Sequence, residues 1–184
     1  MLFRSGIEEG GHPLDDDVSV MVLVPRMVEE LKIPVVAVGG VGNGYNLAAA
    51  LMLGAQGVMM ASRFIATKEC RVHDNIKQEL VRRQEMDTAL ITKSIGMQGR
   101  ALRNKAVEEV LAIEARGGGL EELIPIIAGE RGAKAWDNGD VDAAPMYVGQ
   151  SIGLIHDVPS CSELLERMSA QAEERIKAFA AAIF

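Results

Sequence analysis

Residues 33–64 constrain the fold of this 184-residue chain more than any other stretch. Residues 34–38 are apolar and mostly β-branched without alternation, which is typical of a strand covered on both faces in a parallel sheet. Residues 45–53 are rich in alanine and leucine and favour a helix that ends at Gly54. Residues 57–60 form a second apolar run. This order of strand, helix and strand predicts a right-handed βαβ unit and therefore an α/β fold.

The turns after the two predicted strands have the features of a phosphate site. Gly39 and Gly40 follow the first strand, where glycine would let a ligand approach the backbone closely. Parallel α/β folds bind ligands at this carboxyl end of their strands. The glycines alone also fit an ordinary βαβ crossover. The second turn contains Ala61 and Ser62 before a predicted short helix, and it favours the phosphate site because free backbone N–H groups there would point at an anion.

The composition limits the kinds of partner. The chain is 48% hydrophobic and 24% charged, with a formal net charge of −7 and no basic tract, so we expect no nucleic-acid partner. No apolar run approaches the roughly 20 residues of a membrane span, and the N-terminus lacks a signal pattern. These features predict a cytoplasmic protein that acts on a small molecule without contacting a membrane.

The metal-ligating residue types are too scattered to predict a metal site. Cys70 and Cys161 are far apart and outside any metal-binding spacing, so we interpret both as free thiols. The acidic triplet at residues 15–17 is interpreted as a solvated loop that caps the next helix, because a divalent metal would need further ligands from elsewhere.

The rest of the chain is predicted to be mostly helical. Pro25 suits the first position of a helix that ends near Leu31. Further helices are predicted over residues 74–84, 100–116, 120–128 and 160–182, with a loop over 129–144, whereas 18–24 and 87–95 are ambiguous. The last helix opens with Ser160 and Glu163 in the spacing of a capping box, and its predicted apolar stripe is Leu164, Leu165, Met168, Ile176 and Phe179. Two parallel strands cannot form a stable sheet by themselves. The chain is therefore expected either to pair with another chain, for example as a homodimer, or to be the C-terminal part of a longer protein.

Five stretches of the sequence resemble motifs of a known family. The stretches are Glu9-Gly10-Gly11-His12-Pro13 and residues 33–41, 54–70, 112–118 and 149–157. Together they resemble the nitronate monooxygenase family (older name 2-nitropropane dioxygenase), which consists of flavin-dependent TIM barrels. The resemblance implies the last two strands of a (β/α)8 barrel followed by a mostly helical subdomain. It divides the chain into barrel units at 1–66, a helical subdomain at 67–144 and C-terminal helices at 145–184. Because the first five or six strands are missing, a truncated gene or a fragment is expected.

The resemblance also implies an FMN site. Gly39 and Gly40 match the glycines whose amides hold the FMN phosphate. Ala61 and Ser62 stand where the family usually has Gly-Thr, a departure that keeps the amides and a hydroxyl but tolerates a narrower range of φ. Position 10–11 matches the loop that lies along the flavin, so Gly10 and Gly11 are further cofactor contacts.

His12 matches the active-site histidine of the family and is the candidate catalytic residue. An imidazole with a pKa near neutrality suits proton transfer or charge stabilisation beside a reacting flavin. Gln150 falls near the flavin by family position only. Arg63 fits either phosphate neutralisation or a salt bridge. His73 and His156 are interpreted as structural or exposed.

The implied activity is oxidation of an alkyl nitronate by FMN and O₂. Two other activities on the same scaffold remain open, an NAD(P)H:quinone reductase and a type II enoyl-acyl-carrier-protein reductase. A different class also remains open, in which the chain is a catalytically inactive fragment.

Overall fold

The structure, a computed structural model, describes residues 18–183. Its helices are α1 (Val20–Glu30), α2 (Gly44–Met52), α3 (Ser62–Ile65), α4 (Asp74–Arg82), α5 (Lys105–Ala115), α6 (Leu120–Ile127), α7 (Gly129–Asn138) and α8 (Cys161–Ile183). The strands are β1 (Val36–Val38), β2 (Gly57–Met59), β3 (Thr88–Ile91) and β4 (Gly99–Leu102), and two short 3₁₀ helices span Lys93–Ile95 and Gln150–Leu154. The chain is thus an α/β protein rich in helix.

The predicted βαβ unit is present as β1, α2 and β2. The two strands are parallel, with Val36 opposite Gly57 and Val38 opposite Met59. Asn43 is the N-cap of α2, since its side chain accepts hydrogen bonds from backbone N–H groups in the first turn of the helix. Gly54 follows the helix with φ of +97°, a left-handed conformation that glycine adopts without strain.

One face of this parallel pair is buried and the other is not covered by residues 18–183. Ala37 is 2% exposed and packs in a cluster with Val24 of α1 and Ala50 of α2. Val36 and Met59 are each 40% exposed. The expectation of a strand covered on both faces is therefore wrong for the described residues, because α1 and α2 cover a single face.

Helix α1 begins earlier than its proline predicts. It starts at Val20, and Pro25 lies inside it. Proline has no N–H to donate to the carbonyl of Met21, which costs one helical hydrogen bond. The apolar residues Val20 and Val24 pack against β1 and β2, and this burial favours the longer helix.

The predicted long helix over residues 100–116 is wrong in its first part. Residues Gly99–Leu102 form β4, which pairs antiparallel with Thr88–Ile91. The helix starts at Lys105 because the Asn104 side chain accepts from the Val107 N–H at 2.9 Å. The Asn104 amide also donates to the carbonyls of Val141 and Ala144, which fixes the cap in the interior.

The predicted loop over residues 129–144 is also wrong, because α7 occupies Gly129–Asn138. Ala135 is its buried contact, at 1% exposure, and the rest of the helix is polar or glycine-bearing, so its sequence gives little apolar periodicity. Gly139 ends the helix with φ of +76°.

Helix α8 begins with the predicted capping box. The Glu163 N–H donates to Ser160 Oγ at 3.2 Å, and the Ser160 N–H donates to the Glu163 carboxylate at 2.7 Å. Leu164 and Met168 of the predicted apolar stripe are buried, and they pack with Val41. The predicted apolar stripe is wrong beyond them, since the other three residues are exposed: Leu165, Ile176 and Phe179.

Two simpler expectations concern the thiols and membrane spans. Cys70 and Cys161 are both free thiols, as predicted. Over residues 18–183, none of the helices combines the length and the apolar character required to span a bilayer.

Candidate functional site

Two turns leave the same edge of the β1–β2 pair. The first turn, residues 39–43, follows β1, and the second turn, residues 60–62, follows β2. Because Val38 lies opposite Met59 in parallel register, both turns emerge at the carboxyl ends of adjacent strands. This is the edge at which parallel α/β folds bind their ligands.

The backbone of the first turn requires glycine at two successive positions. Gly39 has φ of +101° and Gly40 has φ of +67°. A side chain at either position would bring its Cβ atom too close to a backbone carbonyl oxygen. This clash keeps most residues out of the region of positive φ. The two glycines therefore set the path of the turn.

Several backbone N–H groups of the two turns remain available as donors. Within residues 18–183, those of Gly39, Gly40, Ala61 and Ser62 form no hydrogen bond. By contrast, the N–H groups of residues 42 and 43 already donate to Asn46 Oδ1. These four donors thus lie in the first two residues of the first turn and the last two residues of the second turn, at the edge where parallel α/β folds bind anions.

The departure at position 61 causes no backbone strain. Ala61 has φ of −108° and ψ of −64°, a region open to any L-residue. Alanine therefore supplies the same backbone N–H as glycine would.

The Ser62 hydroxyl is a structural tie as well as a candidate contact. Its Oγ accepts a hydrogen bond from the Gly149 N–H at 3.0 Å, in the interior. This bond uses a lone pair, so the hydroxyl proton is still available to a ligand oxygen. The bond brings the C-terminal segment at residues 149–154 to the two turns.

The same C-terminal segment packs against the glycine turn. A Cβ added at Gly42 would lie 3.0 Å from Leu154 Cβ and 3.2 Å from the Ser151 carbonyl oxygen. Three segments distant in sequence therefore meet at this edge. The sequence did not predict the hydrogen bond between Gly149 and Ser62. The signal in the sequence was the pair Gly149 and Gly153, because glycines at this spacing allow another segment or a ligand to approach closely.

Arg63 forms a salt bridge, which decides between its two interpretations. Its side chain is 2% exposed and donates to the Asp157 carbonyl at 3.2 and 3.3 Å and to Asp157 Oδ1 at 3.0 Å. Arg167 Nη1 lies 2.7 Å from the second oxygen, Asp157 Oδ2. Burial is the main cause that lowers the pKa of Arg63, and the Asp157 carboxylate opposes it. Arg63 thus joins the start of α3, which follows the second turn, to the C-terminal segment at Asp157.

The remaining candidates have different placements. His73 caps α4, with Nδ1 accepting from the Asn75 N–H at 3.1 Å, and His156 is exposed, as both were interpreted. Gln150 opens the 3₁₀ helix beside the two turns. The candidates Gly10, Gly11 and His12, and the acidic triplet at 15–17, lie outside the described residues. Over the described range, no cluster of three or more ligating side chains could hold a metal.

The donor set fits a phosphate group attached to a cofactor. Four N–H groups without a hydrogen-bond partner belong to the two turns at this edge, and the Ser62 hydroxyl can supply a fifth donor. A bound anion would be held by backbone dipoles rather than by a lysine or arginine, which agrees with the salt-bridged Arg63.

The chain has the architecture of the α/β class, with free backbone N–H groups at the carboxyl ends of two adjacent parallel strands. Residues 1–171 match the nitronate monooxygenase family, and the chain belongs to that family. The resemblance drawn from the sequence is thereby confirmed.

Two curated relatives illustrate the range of the similarity. The chain is 31% identical to the (3aS,4S,5R,7aS)-5-hydroxy-7a-methyl-1-oxo-octahydro-1H-indene-4-carboxyl-CoA dehydrogenase of Rhodococcus jostii (strain RHA1), over 96% of this chain and 60% of the relative. It is 30% identical to a probable nitronate monooxygenase of Bacillus subtilis (strain 168), over 89% of this chain and 49% of the relative. The chain thus spans between half and three-fifths of the length of these relatives.

Two solved structures are similar in fold. FabK from Thermotoga maritima superposes with a TM-score of 0.85 and 30% identity, covering 97% of this chain and 56% of that chain. The nitroalkane oxidase from Streptomyces ansochromogenes gives a TM-score of 0.75 and 25% identity, covering 95% of this chain and 52% of that chain.

Proposed function

We propose that this chain is the C-terminal part of an FMN-dependent oxidoreductase that oxidises alkyl nitronates with O₂. In this proposal β1 and β2 are the last two strands of a TIM barrel. Residues 1–66 form barrel units, 67–144 a helical subdomain, and 145–184 the helices that return to the barrel. Family membership and the parallel β1–β2 pair support this assignment.

The observation that carries the proposal is the pair of adjacent turns with free backbone donors. The N–H groups of Gly39, Gly40, Ala61 and Ser62 would hold the FMN phosphate. When bound, FMN supplies the redox chemistry, which transfers electrons from the anionic nitronate to O₂. The residues of the chain bind and orient the cofactor by its phosphate, and they need no charged side chain at that point.

His12 is proposed as the catalytic residue, on the resemblance of its loop to the family motif. Its imidazole would stabilise the substrate anion or move a proton at Nε2 or Nδ1. Gly10 and Gly11 would let this loop approach the cofactor closely.

A second candidate function is reduction by a nicotinamide, either as an NAD(P)H:quinone reductase or as a type II enoyl-acyl-carrier-protein reductase. The TM-score of 0.85 to FabK and the 31% identity to a carboxyl-CoA dehydrogenase favour this alternative. The same cofactor site would serve both functions, so the site geometry does not separate them.

The first experiment compares FMN with riboflavin, which lacks the phosphate. The purified chain is titrated with each flavin, and binding is followed by quenching of flavin fluorescence. The proposal expects FMN to bind at least about tenfold more tightly, since two or more charge-assisted hydrogen bonds are lost with riboflavin. Equal affinities, or binding of neither flavin, would contradict the phosphate site and favour an inactive fragment.

The second experiment separates the two activities on the flavin-loaded chain. Flavin bleaching is recorded anaerobically with ethyl nitronate and, separately, with NADH and NADPH. The first candidate expects bleaching by the nitronate. Rapid bleaching by a nicotinamide without any by nitronate would overturn it in favour of the reductase.

A further inference from the structure

A cavity lies beside the first turn, where Gly42 and Asn43 form part of its wall. It encloses about 250 Å³ between the start of α2, residues 154–157 and helix α8. Its wall includes Asn43, Arg63, His156, Asp157, Arg167 and Gln171. The four residues proposed for the FMN phosphate (Gly39, Gly40, Ala61 and Ser62) are not part of this wall.

Two amide side chains in the wall have their orientation fixed by backbone donors. Asn43 Oδ1 accepts from the N–H groups of residues 45 and 46 at 3.0 and 3.1 Å. Gln171 Oε1 accepts from the Gly44 N–H at 3.0 Å. A backbone N–H can only donate, so the oxygen must face the helix and each NH₂ group must face away from it.

These NH₂ groups are left as donors. Within residues 18–183, Asn43 Nδ2 and Gln171 Nε2 form no hydrogen bond. An acceptor that entered the cavity would satisfy them, and the wall supplies few acceptors of its own.

The charge of the wall is positive. Arg63 and Arg167 both bind Asp157, at 3.0 Å from Oδ1 and 2.7 Å from Oδ2. Among the described residues, Asp157 is the single carboxylate in the wall, so two guanidinium groups share one negative charge. His156 is also part of the wall and is exposed.

The size of the cavity limits the ligand. About 250 Å³ is below the roughly 300–1,000 Å³ of sites that enclose a drug-sized molecule. A phosphate ion or a small phosphomonoester fits this volume.

We infer that this cavity is a second anion site that binds a phosphate group through the amide NH₂ groups of Asn43 and Gln171 and the guanidinium group of Arg167. The phosphate is either free or carried by a small metabolite. The site uses none of the four residues proposed for the FMN phosphate, and its ligand would join the start of α2 to α8 beside the first turn.

The test uses two nearly isosteric variants, Gln171→Glu and Asn43→Asp. Each retains the oxygen that accepts from the helix and replaces the NH₂ group with a carboxylate oxygen. Aspartate is as good an N-cap as asparagine, and a carboxylate near a helix N-terminus is favourable, so both variants should fold. Ser169→Glu adds the same charge to α8 at an exposed position outside the cavity wall and is the matched control.

The measurement follows the side-chain NH₂ signals of ¹⁵N-labelled full-length chain during titration with sodium phosphate, against sodium chloride at equal ionic strength. The Asn43 and Gln171 signals are assigned by their loss in the two variants. We expect these signals to shift saturably with phosphate. The affinity for phosphate, measured from the shifts of the backbone signals, should fall at least about tenfold in both variants and remain unchanged in Ser169→Glu.

A parallel titration with glycerol 3-phosphate distinguishes the two sources. Tighter binding than phosphate indicates a phosphomonoester metabolite, and weaker binding indicates the free ion. NH₂ signals that do not move with either probe overturn the inference, as does phosphate binding that both variants leave unchanged. FMN titration of the same samples reports on the proposed cofactor site separately, so failure of one site is not mistaken for failure of the other.

Discussion

A Cβ atom added at Gly44 would lie 2.3 Å from the carbonyl oxygen of Met168. The same Cβ would lie 2.9 Å from the Ala172 backbone nitrogen, so the obstacle is the backbone of α8 rather than a movable side chain. Helices α2 and α8 therefore meet at a point that only glycine permits. This contact holds the first turn against the C-terminal helix.

Gly44→Ala should destabilise the chain by about 2–3 kcal/mol, because overpacking forces the two helices apart. The free energy of unfolding is measured by urea denaturation. Gly132→Ala is the matched control, since nothing lies within 4 Å of a Cβ at this position inside α7. It should stabilise the chain by about 0.5–1 kcal/mol. Equal effects of the two substitutions would contradict the close α2–α8 contact.

Gly40→Ala should weaken FMN binding by about tenfold. The left-handed conformation at φ of +67° costs a non-glycine residue roughly 1–2 kcal/mol, and a shift of the turn to relieve it would displace the Gly40 N–H. Ala61→Gly is the matched control, because Ala61 has negative φ and glycine there restores the residue usual in the family. The control should leave the FMN dissociation constant within about twofold. A stronger effect of Ala61→Gly than of Gly40→Ala would contradict the assignment.

The Arg63–Asp157 pair should respond unequally to loss of its partners. Asp157→Ala leaves the buried Arg63 guanidinium without its carboxylate and should cost about 3 kcal/mol of unfolding free energy. Arg63→Met removes the buried charge and leaves Asp157 paired with Arg167 at the half-exposed side, so its cost should be smaller. Thermal and urea denaturation of the two variants check this order. The reverse order would show that Arg63 acts mainly by packing.

The start of α8 should show a pH dependence from Glu163. The hydrogen bond from the Ser160 N–H lowers the pKa of Glu163 to about 2, and the hydrogen bond from Lys68 contributes. A lowered carboxyl pKa gives stability that is full above the unfolded value of 4.5 and is lost as pH falls toward about 2. Glu163→Gln should therefore lower the unfolding free energy at pH 7 and have a smaller effect at pH 2.5.

The control for this prediction is Glu121→Gln, in the first turn of α6, where the side chain is exposed. This substitution should change the free energy of unfolding by nearly the same amount at pH 7 and at pH 2.5. A Glu163→Gln effect that is the same at pH 7 and pH 2.5 would mean that the capping box does not form in solution.

The sequence predicted the βαβ unit well because its signals are local. The apolar runs that became β1 and β2, and the glycine after α2, act within a few residues. The capping box at Ser160 was predicted for the same reason. The two strands are shorter than predicted by two residues and by one residue, and α2 and α8 are each shifted by one residue.

The wrong predictions concern elements set by distant contacts. The strand at Gly99–Leu102 depends on pairing with Thr88–Ile91 and on the Asn104 cap held by residues 141 and 144. Helix α7 has a single buried residue, Ala135, and its polar sequence resembles a loop. Hydrophobic periodicity in the sequence therefore indicates neither this strand nor this helix.

The candidate site was predicted in part. Its two turns were evident from glycines and small residues, whereas the hydrogen bond between Ser62 and Gly149 joins residues 87 positions apart. The Arg63–Asp157 pair spans 94 positions, and the sequence could offer only alternatives for Arg63. The roles of Gly10, Gly11 and His12 stay predictions.

The central claim is that the two turns bind one phosphate group through their backbone N–H groups. The most direct measurement is the ¹H–¹⁵N backbone spectrum of the chain titrated with FMN and, separately, with riboflavin. The account predicts that the amide signals of Gly39, Gly40, Ala61 and Ser62 shift together and saturably with FMN, and shift far less with riboflavin. Signals of one turn that stay unmoved while those of the other shift, or equal shifts with both flavins, would contradict it.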